Sequence, residues 1–93
     1  MPEQELDERW ILVFDSIHHV LAAERALQGH GLWCDLVPTP RDLRSDCGMV
    51  IELRPAERHE ADGVVRTLAR QPVAVYRRTE GKYERRHLDE PAA

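Results

Sequence analysis

Twice in this chain a short apolar run gives way to apolar residues at helical spacing, and that alternation restricts the fold more than anything else. Trp10-Ile11-Leu12-Val13-Phe14 is continuously apolar, the pattern of a strand buried on both faces or nearly so. Asp15-Ser16 closes it with short side-chain oxygens that can accept from the first unbonded N–H groups of a helix. From Ile17 the period changes: Ile17, Val20, Leu21, Ala23, Ala26 and Leu27 form one stripe, and Glu24, Arg25 and Gln28 fall largely outside it. Gly29 and Gly31 supply the stop. Leu32 to Val37 alternates imperfectly and reads as a strand with one wet face near an edge, ended by Pro38 and Pro40. Met49 to Leu53 is the next strand. Pro55 suits a first helical turn, and Ala61, Val64, Val65 and Leu68 give the second helix its buried stripe. Gly63 weakens that helix by roughly 1 kcal/mol relative to alanine. Pro72 leads into a last strand, Val73 to Tyr76.

The order β-α-β-β-α-β in one short domain predicts an α+β fold, the ferredoxin-like sandwich of an antiparallel sheet with two helices on one face. The first helix returns the chain, so the second strand runs parallel to the first, and the third slots between them in the opposite sense. This places residues 9–77 in one domain, with a flexible stretch 1–8 before it. Residues 78–93 are charged and patternless and are expected to be a disordered tail. There is no repeat beyond the two β–α units.

A chain of 93 residues can bury one modest core. Its net charge of -4 and the absence of a basic face argue against a nucleic-acid partner. The one basic cluster, Arg77-Arg78 to Arg85-Arg86, is interrupted by Glu80 and Glu84. No apolar run approaches the roughly 20 residues that span a bilayer, and Met1 to Glu8 is acidic where a secretory signal is basic and apolar. A cytoplasmic location is expected. Two cysteines are too few for a disulfide scaffold or a closed zinc site, so they pose a question of reactivity.

The predicted topology brings "FDSIHH" (Phe14 to His19) and "PTPRDLRSDCG" (Pro38 to Gly48) to the same end of the sheet. Cys47 lies where that loop joins a strand, and Gly48 after it lets a partner's atoms approach closely. Arg41 and Arg44, with the positive end of the first helix, would favour its thiolate. A charge about 6 Å away is worth roughly 3 kcal/mol at an effective dielectric near 20, and well under 1 kcal/mol in water. Shelter by the loop therefore decides the size of the effect, and Asp46 works against it. The plainer alternative is a small residue filling space at a strand start. Cys34 shares a face with Leu32 and Leu36 and reads as packing. His18 and His19 are either polar first-turn residues or a proton donor and thiolate partner. Neighbouring histidines on a helix point about 100° apart, which suits one metal ion poorly. With no H-E-x-x-H or C-x-x-C pattern, no metal is expected, and His30, His59 and His87 read as surface residues. Arg41 and Arg44 can instead cradle an anion beside the loop's N–H groups, or be solvated charge. Pro38-Thr39-Pro40 stiffens the loop. No phosphate-binding or dinucleotide-binding glycine motif is present, and no cofactor is expected.

"ILVFDSIHHVLAAERAL" followed by "CDLVPTPRDLRSDCGMVIEL" resembles a small bacterial family of selenium/sulfur carrier-like proteins, over about Trp10 to Tyr76. Its specific portion is "VPTPR" plus "SDCG", Val37 to Arg41 and Ser45 to Gly48. The resemblance implies that Cys47 holds a chalcogen atom as a persulfide or perselenide and hands it on. Arg41, Arg44, His18, His19, Thr39, Ser45 and Gly48 are the residues expected to stabilise the thiolate or its anionic adduct. The implied donor is a cysteine desulfurase or selenocysteine lyase, and the acceptor a selenophosphate-making or other enzyme. Such a protein is a carrier more than a true enzyme. The rival reading is a regulatory or adaptor module gripping an anion or partner through the arginine loop, with Cys47 incidental. A thiol oxidoreductase would need Cys34 as its resolving cysteine, from within a strand. Pairing of the outer strands into a homodimer stays open.

Overall fold

β1 (Arg9–Val13) is the middle of a five-stranded sheet whose order is β2-β3-β1-β4-β5, as described by a computed structural model covering residues 7–44 and 47–91. The other strands are β2 (Cys34–Pro38), β3 (Met49–Leu53), β4 (Ala74–Thr79) and β5 (Lys82–Arg85), and every neighbouring pair is antiparallel. α1 (Ile17–Gly29) links β1 to β2, and α2 (Arg58–Val65), entered through a 3₁₀ turn at Pro55–Glu57, links β3 to β4. The first four strands take the ferredoxin-like arrangement, with β3 between β1 and β2. The fifth strand is an addition to it.

The continuous apolar run of β1 is explained by its place at the centre. Trp10, Leu12 and Phe14 face the helices, in one cluster with Val20, Ala23 and Leu27 of α1, Ala61, Val64 and Val65 of α2, and Ile51 and Leu53 of β3. Ile11 and Val13 point the other way, into a second cluster with Val50 and Leu43. Both faces of β1 are thus sealed, all four of Trp10 to Val13 being at most 2% exposed. Ser16 caps α1 as expected, its Oγ accepting from the His19 N–H at 3.3 Å. After the helix, Gly31 takes a positive φ of 72°. The buried stripe of α1 is narrower than its sequence pattern, because Ile17 and Leu21 are each 37% exposed. α2 ends at Val65, and Leu68 reaches the core from successive turns, its N–H bonded to the Val65 carbonyl at 3.0 Å.

The expectation of a disordered tail from residue 78 needs correction. β4 continues to Thr79, and Glu80 and Gly81 (φ 52° and 75°) make the two-residue turn with positive φ that suits a tight hairpin. β5 then pairs back, setting Glu84 opposite Arg77 and Tyr83 opposite Arg78. Beyond it Leu88 is 5% exposed and belongs to the main core. The segment is held by Arg58, whose Nη1 donates to the carbonyls of Leu88 (2.9 Å) and Glu90 (2.6 Å). Its composition is charged because it forms an edge strand, where paired charges keep the ladder in water. Two apolar residues, Tyr83 and Leu88, suffice to dock it.

Candidate functional site at the end of the sheet

Three connections meet where β1 leaves the sheet: the β1–α1 turn, the loop from β2 to β3, and the lead into β4. Val13 pairs with Val50 and Ala74, and the Val73 N–H donates to the Val13 carbonyl at 2.8 Å. The β1–β3 pairing ends at Val13 and Val50, so Asp15 and Ser16 after β1 and Cys47 and Gly48 before β3 lie at the same end of the sheet.

The loop is closed at its base by the pairing of Pro38 with Met49 and by the Thr39 N–H donating to the Gly48 carbonyl at 2.9 Å. Gly48 has φ of 77°, a conformation a residue with a Cβ reaches only under strain. Between these points the loop reaches both faces at the end of the sheet. Leu43, turned by its own N–H bonding to the Pro40 carbonyl at 3.0 Å, drops onto the helix-free face against Ile11, Val13 and Val50. Leu43 was not among the expected site residues, although one large apolar side chain in a polar loop is a visible signal for an anchor.

Cys47 is half-buried and packs against the helix-side core cluster. Its Sγ donates to the Met49 carbonyl at 2.8 Å, a bond available only to the protonated thiol. Arg41 and Arg44 are both exposed. Arg44 helps wall an open groove of about 850 Å³ on the helix-free face, between the loop and the β4–β5 hairpin, with Tyr76, Tyr83 and Lys82. Arg44 thus borders the helix-free face, while Cys47 packs on the helix side. Ser45, with Asp46, lies outside the described residues. Thr39 contributes a buried Oγ1 that has no hydrogen-bond partner.

His18 is exposed, whereas His19 is held by Asp15, with Nδ1 and Oδ1 2.6 Å apart. That bond keeps the Asp15 carboxyl below its ordinary range. It also fixes the ring's roles: with Nδ1 donating to Asp15, Nε2 of the neutral imidazole is left as acceptor. Asp15 is a partner the sequence reading missed, though its spacing of four from His19 signals such a pair. Cys34 lies on β2 facing the helices and packs against the same core. Its thiol is pushed up, first by burial and then by the nearby charges of Glu24 and Asp35. The structure thus separates the two cysteines, one in a strand with a suppressed thiolate and one at a loop junction beside a helix start. Among the described residues no group of three or more His, Cys, Asp or Glu side chains is gathered to hold a metal ion, and no helix is long and apolar enough to cross a membrane.

The family model described as "Putative Se/S carrier protein-like" matches residues 9–77. The chain belongs to that family. No curated protein and no solved structure matches it. Within the Se/S carrier-like match fall both cysteines, the whole β2–β3 loop and the β1–α1 turn. The β4–β5 turn, β5 and the docked segment with Leu88 lie beyond it.

Proposed function

We propose that this Se/S carrier-like protein holds one sulfur or selenium atom on Cys47 and passes it to an acceptor enzyme. The observation that carries the reading is the position of Cys47. It is half-buried at a loop–strand junction next to Gly48, on a loop pinned at Thr39 and Leu43, within the span of the family match. A deep pocket is not needed for such a role; an approachable thiol on a shaped loop is.

The transfer balances without an oxidant. The Cys47 thiol gives up its bond to the Met49 carbonyl and loses its proton. The thiolate attacks the outer atom of a donor persulfide or selenenyl sulfide, R–S–SH or R–S–SeH. The new bond is Cys47–S–SH or Cys47–S–SeH, and the bond that breaks releases R–S⁻, which takes up the proton. Delivery repeats the exchange toward the acceptor. His19, its ring held by Asp15, would relay that proton through Nε2 from Cys47 to the leaving thiolate. Arg41 would stabilise the anionic adduct. A cysteine desulfurase or selenocysteine lyase fits the donor's role, and a selenophosphate-making enzyme the acceptor's.

The test is mass spectrometry of the intact protein after incubation with such a donor. One added sulfur or selenium on Cys47, lost in Cys47→Ser and kept in Cys34→Ser, is the expected result. Equal labelling of the two variants would discard the assignment. The adaptor reading draws on a different observation, the groove that Arg44 shares with Tyr76 and Tyr83. Full function of Cys47→Ser in cells would favour it.

A further inference from the structure

Three guanidinium groups converge at the pole of the fold opposite Cys47, where β1 begins. The β1–β4 register sets Trp10 beside Arg77 on the helix-facing side of the sheet. Arg58, at the start of α2, lies over the Trp10 ring with its guanidinium carbon 4.3 Å from the centroid, and it is only 6% exposed. One of its nitrogens bonds the two carbonyls of Leu88 and Glu90. No ion pair among the described residues includes Arg58, although Arg66, Arg77 and Arg86 around it are all paired.

A buried cation ordinarily has a counter-charge. Here the indole face and the two carbonyls supply only partial negative charge. The remaining donors of Arg58, Nε and Nη2, have no protein acceptor, and neither is sealed from solvent. Arg58 lines a concavity of about 430 Å³ whose walls also include Arg77, Arg86, Glu8 and Glu90. The two glutamates sit loosely there. Glu8 is 3.4 Å from Arg77 and gives its other oxygen to the Trp10 Nε1–H at 2.8 Å. Glu90 is 3.6 Å from Arg86, whose Nη2 donates to Glu84 at 2.7 Å.

We propose that this concavity is a binding site for a small tetrahedral oxyanion of the phosphate type. The fork of a guanidinium matches two oxygens of such an ion, and a tetrahedral ion has further oxygens for the second and third arginine. A planar carboxylate does not. The ion would complete the coordination of Arg58 and tie together β1, α2, β4 and the C-terminal segment. This site does not depend on the role assigned to Cys47.

The test uses the full chain and two tryptophans as reporters. Inorganic phosphate is titrated against chloride at constant ionic strength and pH while the indole N–H signals are followed by NMR. Trp10 lies in the site. Trp33, flanked by Arg9 and Arg54 at 5.4 and 5.1 Å, is an internal control for indiscriminate attraction of anions to arginine. The Trp10 signal is expected to move saturably and the Trp33 signal to stay. Arg77→Gln and Arg86→Gln should each weaken binding about tenfold, the loss of one charge-assisted pair. Arg58→Lys, which keeps the charge and loses the fork, should do the same. Parallel movement of both indoles, absence of saturation, or unchanged affinity in the Arg77 and Arg86 variants would overturn the proposal.

Discussion

Leu43 and Cys47 belong to one loop yet pack on opposite faces of the sheet, Leu43 against Ile11, Val13 and Val50 and Cys47 against the helix-side core. The loop thus straddles the end of the sheet, with its apolar anchor on one side and its thiol on the other. The length of the β2–β3 connection follows from that crossing, which a tight hairpin could not make.

Removing the anchor should therefore be felt at the thiol. Leu43 is 8% exposed, and Leu43→Ala should cost about 2 kcal/mol, the low end for a buried leucine. Urea denaturation measures that loss. Alkylation of Cys47 in the folded protein should quicken in the same variant, while that of Cys34 should not. An unchanged Cys47 rate would show that anchor and thiol are uncoupled.

The two thiols should also separate by pH. Burial, Glu24 and Asp35 hold the Cys34 thiol above its ordinary 9.0. Because the thiolate is the reacting form, alkylation of Cys34 should stay slow at neutral pH and climb only in the alkaline range. Glu24→Gln should raise its rate at any fixed pH. The raised value also has a stability consequence. The folded state keeps its proton longer than the unfolded one, so this contribution is whole below about pH 9.0 and is lost as pH rises through the folded value.

Asp15 makes the opposite case on the acid side. Its carboxyl is lowered below the ordinary 3.8, chiefly by the hydrogen bond to His19. The bond's contribution is present above the ordinary value and is lost as pH falls through the lowered one. Carbon-detected NMR titration should find Asp15 titrating below 3.8, and His19→Ala should return it to the ordinary range. A normal Asp15 in the unaltered protein would mean the pair does not hold in solution.

The C-terminal segment should behave as part of the core. Leu88→Ala should cost about 2–4 kcal/mol. In a domain of this size that lowers the melting temperature by roughly 10 °C or more. A chain ending after Arg86 should lose at least as much, since Arg58 then loses both carbonyl acceptors. An unchanged melting curve would restore the disordered tail that composition suggests.

The alternation of apolar runs and helical stripes carried most of the fold. Trp10 to Phe14 had to be central because no edge strand buries both faces, and Ser16 had to cap because only its oxygen meets the first N–H groups of α1. β5 was hidden because an edge strand exposes its charges, so Lys82 to Arg85 looks like solvated chain until Tyr83 and Leu88 are seen to dock. At the site, the meeting of the two loops was legible from topology alone. The direction of Arg44 was not, since a loop side chain has no period to betray its side.

Local sequence by itself determined the first four strands and the two helices, where the first helix starts, and that Cys47 stands at a loop junction while Cys34 stands in a strand. Those properties depend on neighbours within a few positions. Only the tertiary structure decided that the loop folds across the sheet, that Arg44 borders the helix-free groove, and that Arg58 clamps a docked C-terminal segment. Each of these is a contact between segments far apart in the chain, fixed by which apolar surface was left to cover and which buried charge was left to satisfy.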